Sequence, residues 1–320
     1  METNKEYLEL VNEARNKQIK LTQQNYKDLK DIFKQASKEL SIKSSSAKNK
    51  SLTKRFLQDY IKQLRKITKS ISSESEKSIE DSIIKSANNA TDIQLDFFNI
   101  IDEKYNLNLK ESFTSMFSKV PIEAISEIIS GNFYKDGTGL SKRIWWNEKK
   151  VNGDIDYIIQ QGIEQKKSIY DLSKDLETYI NPQAKKDWNW KNVYPGVGNK
   201  MVDYNAQRLA RTSINHAYFL SNTRSCEANP FINVMHWELS LQHSIRMHGR
   251  TDICDTYANN DDGYGRGNFL IKNLPTPHPQ CLCTQYGVVE DDLENIGTRL
   301  NAWVNGKPDK QLDDYLKGHK

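Results

Sequence analysis

Long apolar runs are missing from this 320-residue chain; the longest spans only a few residues, so no helix long and apolar enough to cross a bilayer is expected. Glycine (15) and proline (8) are both scarce, which excludes collagen-like and proline-rich disordered classes. Only four cysteines occur, all after residue 225, too few for a disulfide framework. Neither histidine nor cysteine is found before residue 216. The opening segment METNKEYLELVNEARNK is charged throughout and lacks the apolar stretch of a signal peptide, so the expectation is a protein made and kept in a reducing cytosol. No phosphate-binding GxxxxGK[ST] loop occurs. The glycine-rich GYGRGN at 263–268 has no strand before it and no helix after it, so it does not read as a dinucleotide loop.

Charge is plentiful at 28% of residues, with a net of +4 and a mean hydropathy of -0.77. It is unevenly spread. Residues 1–120 carry 22 Lys/Arg against 17 Asp/Glu, whereas residues 201–320 carry 12 against 14. The steepest stretch, 43–69, holds Lys43, Lys48, Lys50, Lys54, Arg55, Lys62, Arg65, Lys66 and Lys69 against Asp59 alone. Such a patch attracts phosphate backbones or acidic surfaces, and it also fits a plain solvated helix face. Its two aromatics, Phe56 and Tyr60, fall on the apolar side, so base stacking is not expected from this stretch.

The first half reads as amphipathic helices. Leu29, Ile32, Phe33, Ala36 and Leu40 recur at three and four, as do Leu52, Phe56, Tyr60, Ile61, Leu64, Ile67 and Ile71. Ser/Lys-rich 41–51 and Ser/Glu-rich 70–78 read as breaks, and Ile79, Ile83, Ile84 and Ala87 start a further helix. Leu95 to Ile101 is either its continuation or a separate helix. Pro121 suits the first turn of a short helix using Ile122, Ile125, Ile128 and Ile129, ended by Gly131. After a turn at Asp136-Gly137 come the adjacent Trp145 and Trp146; they cannot both face one core from a helix, so one is expected to anchor an interface unless the helix is buried on two sides. Two helices follow on Ile155 to Ile163 and Ile169 to Ile180, the second stopped by Asn181-Pro182. Residues 183–199, with Trp188, Trp190, Pro195, Gly196 and Gly198, read as a boundary loop. The last third opens with a strong helix at 201–229. A strand with Met235, Trp237 and Leu239 on one face follows, then a long loop, a strand at 284–289 and a polar tail. The fold class is therefore α+β: a mostly helical amino-terminal region (1–130), a helical region with a tryptophan cluster (131–199), and a small α+β domain (200–320).

The loop at 240–283 has few apolar residues and holds His243, His248, Asp252, Cys254, His278, Cys281 and Cys283. A loop of this length is uncommon unless it is cross-linked or functional. Cys254, His278, Cys281 and Cys283 are the residue types of a tetrahedral structural zinc site, with His243 as an alternative donor, and bound zinc would supply folding energy that the apolar content does not. The spacing is one CxC plus an isolated cysteine rather than two CxxC knuckles. The other readings are reduced, packed thiols with His278 capping a turn, a cysteine nucleophile beside a histidine, or a metal-dependent nuclease centre.

The order of these residues resembles the phage head morphogenesis, or minor head, proteins that share the Mu F-like domain. The resemblance rests on Ala210, Arg211, Thr212, Asn215 and Ala217 on a helix, Trp237 on the next strand, then Arg250, Thr251 and Cys254. Asp261 and Gly263 follow in a turn, and Pro275, His278, Pro279, Cys281 and Cys283 close it. It covers about 80 residues, and LSKRIWWNEKKV at 140–151 also resembles the region preceding the domain in phages of Gram-positive hosts. The chain departs from the pattern at Thr251 and Tyr257, where a second cysteine is usual, at Leu282 for the usual arginine, and at Ser213 for the usual glutamate. The missing thiol leaves His278 or His243 to complete any metal site.

The resemblance implies a non-enzymatic minor component of a tailed-phage virion head, assembled in the host cytoplasm. It implies association with the portal protein and other procapsid proteins at the portal vertex, and a link to DNA packaging or ejection. The basic 43–69 stretch would touch packaged DNA through nonspecific phosphate contacts. Two alternatives stand beside it. One is a metal-dependent nuclease or toxin-like effector carrying a Mu F-like domain, which the plain helical periodicity of residues 1–130 argues against. The other is a zinc-stabilised nonspecific nucleic-acid-binding module.

Overall fold

The computed structural model describes residues 3–47, 54–183, 190–198 and 200–318. Three helices open the chain: α1 (Lys5–Ala47), α2 (Lys54–Tyr105) and α3 (Lys110–Ser130). They are followed by α4 (Leu140–Glu164), α5 (Ile169–Ile180), the single turn α6 (Trp190–Val193) and α7 (Tyr204–Glu227). The last part holds β1 (Val234–Glu238), α8 (His243–Met247), α9 (Ile253–Asn259), β2 (Asn268–Leu270), β3 (Thr284–Gly287), α10 (Leu293–Val304) and α11 (Lys310–Gly318). The chain is thus mostly helical with one small antiparallel sheet of order β2-β1-β3, compatible with the α+β class.

Several sequence expectations are corrected. The serine-rich 70–78 is no break, because α2 runs through it. Ser75, Ser82 and Ser86 continue the buried stripe of Ile71, Ile79 and Ile83, so small hydroxyl side chains stand at core positions where they read as loop residues. Residues 41–47 belong to α1, and 48–51 lie outside the described residues. Pro121 starts no helix; it sits inside α3, on a buried row with Phe113, Phe117, Ala124 and Ile128. Ile122, expected in the core, is 66% exposed. Gly131 does end that helix, at φ +93°, and a Cβ there would stand 2.4 Å from the Gly139 nitrogen. Residues 140–164 form one helix rather than two. Neither Trp145 (52% exposed) nor Trp146 (44%) is buried. The polar tail folds into α10 and α11, and a third strand, β2, stands in the loop.

The described chain divides into two compact units. The first comprises Met1–Thr22, Ser82–Ile128 and Thr212–Lys320; the second comprises Gln23–Asp81 and Ile129–Arg211. The first unit's core gathers Tyr7, Phe97, Phe98, Phe113, Phe117, Phe231, Met235 and Ile296. Phe98 stacks on Phe113 at 4.5 Å between ring centroids. The low mean hydropathy is reconciled with this burial by hydrogen-bonded polar side chains inside the helix contacts. Gln18 Nε2 donates to Ser86 Oγ (2.8 Å), Ser86 Oγ to the Ile214 carbonyl (2.7 Å), and Gln94 Nε2 to the Tyr7 hydroxyl (2.7 Å).

In the second unit α2 and α4 run antiparallel. Arg65 pairs with Asp156, Thr68 Oγ1 donates to Asn152 Oδ1 (3.1 Å), and Ser141 hydrogen-bonds Glu76. Buried Tyr60 reaches α5 by donating to the Ser173 carbonyl at 3.1 Å.

Candidate metal centre

In the first unit the sheet brackets the thiol-bearing loop. Its central strand β1 pairs with β2 through Met235–Phe269 and with β3 through Trp237–Gln285. The alternation of β1 sends Met235 and Trp237 to buried positions. Trp237, Phe269, Cys254, Cys281 and Cys283 form a small buried cluster, with Tyr257 edge-on to Trp237 at 4.9 Å. Cys254 sits in the first turn of α9. Its helix begins at a capping box in which Asp252 accepts from the Cys254 nitrogen (2.8 Å) and Asp255 from the Asp252 nitrogen (2.8 Å). Cys281 and Cys283 lie directly before β3, and Gln280 takes φ 65° to turn the chain into them. Helix α7 fastens this approach: Thr212 Oγ1 accepts from the Gln280 nitrogen (3.1 Å), and His216 Nε2 bonds the Pro277 carbonyl (2.9 Å).

The thiols converge. Cys254 Sγ lies 3.6 Å from Cys281 Sγ, the Cys283 nitrogen 3.3 Å from Cys281 Sγ, and Cys283 Sγ 3.8 Å from His243 Nδ1. A donor atom of His278 lies within 4.8 Å of both Cys254 and Cys281 sulfurs. Two sulfurs at about 2.3 Å from a tetrahedral zinc stand roughly 3.8 Å apart. The Cys254–Cys281 sulfur separation and the Cys283–His243 separation are near that edge, and Cys254, His278 and Cys281 form one group whose donor atoms all lie within 4.8 Å of one another, so this group can hold a zinc-sized ion. Cys254, Cys281 and His278 would hold it, with Cys283 adjacent beside His243, and the bound ion would supply a cross-link. Both histidines have oxygen partners of the kind that orient metal ligands. His243 Nε2 is 2.9 Å from Asp255 Oδ2 and 3.6 Å from Asp252 Oδ1. His278 Nε2 is 3.3 Å from Asp252 Oδ2, with Nδ1 donating to the Pro279 carbonyl (2.9 Å).

The electrostatics suit a cation. Hydrogen bonds from Cys254 and Cys281 hold the Cys283 thiol below the usual thiol range. Donation to Cys281 and Cys283, together with burial, pushes Cys254 up. For Cys281 the bond with Cys254 lowers the thiol, but donation to Cys283 and burial outweigh it and carry it up to about 12. Burial disfavours the His243 imidazolium, yet the hydrogen bond to Asp255 and the charge of Cys283 raise its pKa overall. The Asp252 amide, then His243, hold Asp255 below the ordinary carboxylate range.

The remaining sequence candidates are dispersed. His248 is exposed at the end of α8, with φ 52°. Asp261 Oδ1 accepts from the Gly263 and Gly265 nitrogens at 2.9 and 3.0 Å, so that motif pair shapes the glycine-rich turn. Arg211 and Asn215 are half-buried on α7. Cys226 joins the large core beside Tyr7 and Gln94. Of the basic stretch, Arg55, Lys62, Arg65, Lys66 and Lys69 are exposed on α2. Lys43 and Lys54 belong to α1 and α2, while Lys48 and Lys50 lie outside the described residues. Asp255 was not among the candidates read from sequence; the D-x-x-D of a capping box at 252–255 is the signal that finds it. No helix among the described residues is long and apolar enough to cross a membrane. No protein-family model, curated protein or solved structure matches the chain.

Proposed function

We propose that this chain is a minor head component of a tailed phage, acting in head assembly at the portal vertex, with a zinc-fastened loop in its first unit. The observation that carries the reading is convergence. The motif residues Trp237, Cys254, Cys281 and Cys283 share one buried cluster, His278 stands at its edge, and Thr212 ties down the adjoining Gln280, although these residues are spread over some seventy positions. The zinc has a structural role: the thiols bond one another under Trp237, in a segment with little other core. The exposed basic residues of α2 supply nonspecific phosphate contacts to packaged DNA. The portal protein and other procapsid proteins are its partners, and the virion head, reached from the host cytoplasm, is its location.

Co-sedimentation with procapsids and pull-down of a portal protein test the reading, and both are expected. Metal-dependent cleavage of DNA by the purified protein, abolished by His243→Ala, would overturn it in favour of a nuclease.

A further inference from the structure

The exposed face of the α2–α4 pair combines two features that the sequence keeps seventy residues apart. Contacts between the helices pair Arg65 with Asp156, Thr68 with Asn152 and Glu76 with Ser141, fixing their antiparallel register. At 100° per residue, Lys62, Lys66 and Lys69 stand about 40–100° around α2 from that contact row. Trp145, Lys149 and Trp146 stand about 20–120° around α4. In both helices this rotation leads away from the buried stripes of Leu64, Ile67 and Ile71 and of Ile144, Ile155 and Ile158, so the six side chains share one solvent face. Along the axis the face runs about 18 Å from Lys62 to the level of Trp145.

The chemistry of this face is specific. Lys62, Lys66 and Lys69 are exposed and form no ion pair among the described residues. Of the nearby acids, Asp156 is engaged by Arg65 and Glu76 by Ser141, while Asp59 lies exposed on the same side one turn before Lys62, a single negative charge against three lysines. Both indoles are about half exposed, and each carries a lysine ammonium near its ring: Lys149 at 5.3 Å from the Trp145 centroid and Lys142 at 5.6 Å from Trp146. Protein–protein contact cores are enriched in tryptophan but depleted in lysine. Unpaired lysines beside exposed indoles instead match surfaces that track a phosphate backbone while bases stack on aromatic rings. A duplex keeps its bases stacked internally and would leave the indoles unused.

We propose that this face binds single-stranded nucleic acid without sequence preference, the lysines holding phosphates and Trp145 and Trp146 stacking bases. The inference rests on the second unit alone but shares its α2 lysines with the packaged-DNA contacts of the head-assembly reading; strand-over-duplex preference tests the inference, whereas procapsid co-sedimentation tests that reading.

The test is fluorescence anisotropy of the full chain with end-labelled (dT)15 and with a 15-base-pair duplex, over a salt series. The strand is expected to bind more tightly than the duplex. Trp145→Ala with Trp146→Ala should weaken strand binding about tenfold or more with the salt slope unchanged. Trp145→Phe with Trp146→Phe should restore most of it. Lys62→Gln, Lys66→Gln and Lys69→Gln together should flatten the log–log salt slope by about 2. Circular dichroism confirms that each variant is folded. Absence of strand binding, or equal binding of strand and duplex with the tryptophan variant unaffected, would overturn the proposal.

Discussion

Replacing Cys281 by serine is the most informative single change at the thiol cluster. Its sulfur is 3.6 Å from Cys254 Sγ and accepts from the Cys283 nitrogen at 3.3 Å. Structural zinc sites contribute about 10–16 kcal/mol of apparent binding free energy at pH 7. One donor in four therefore accounts for roughly 2.5–4 kcal/mol, and its loss should weaken zinc binding by about two to three orders of magnitude. Titration against a chromophoric chelator reads this directly, and limited proteolysis of residues 240–283 should accelerate while the long helices survive. Cys226→Ser is the control. That thiol lies in the large core against Tyr7 and Gln94, so the variant should bind one zinc per chain like the parent. A parent that binds no zinc, or a Cys281→Ser chain that binds it with parental affinity, would refute the reasoning.

Three further outcomes are expected. Phe98→Ala removes a ring that is 1% exposed and packed on Phe113, so urea unfolding should show a loss of about 3–5 kcal/mol; a loss under 1 would disprove its core role. Gly131→Ala should destabilise, because an added Cβ meets Thr138 and Gly139 backbone at 2.4 Å. Gly153→Ala, in open space on α4, should instead stabilise by about 0.5–1 kcal/mol, and thermal melts of the pair check the contrast. Burial alone would raise the Asp309 carboxyl, but the Leu312 amide and Arg299, at 2.9 Å, outweigh it and lower its pKa. A depressed folded pKa stabilises above the unfolded value and is lost as pH falls through the folded one. Asp309→Asn should therefore lower the melting temperature at pH 7, with the gap closing below about pH 4.

The helix stripes of the first half were legible wherever their core residues are aliphatic or aromatic, as at Leu29 to Leu40 and Tyr60 to Ile71. They became illegible where serine takes over the buried row, because a hydroxyl in a tight helix contact carries the same letter as a hydroxyl in a loop. The thiols and both imidazoles announced themselves by residue type, and the CxC spacing drew attention to the right segment. That His243 and His278 flank the thiols, each beside Asp252, was not readable, since it depends on where the capping box of α9 and the turn at Gln280 send the chain. The register that places Trp145 and Trp146 on the same face as the α2 lysines is likewise a property of helix packing, invisible in either segment alone.

The first unit imposes an order of events on synthesis. The Asn4 nitrogen donates to the Val289 carbonyl at 2.7 Å, and the Val289 nitrogen donates to Thr3 Oγ1, 286 positions away, at 2.9 Å. Tyr7, Phe97 and Phe98 share their core with Phe231, Met235 and Ile296. A nascent chain emerging from the ribosome therefore holds these aromatic rings without Phe231, Met235 and Ile296 until the residues up to about 300 have been made, an interval in which a chaperone has an incompletely shielded surface to grip.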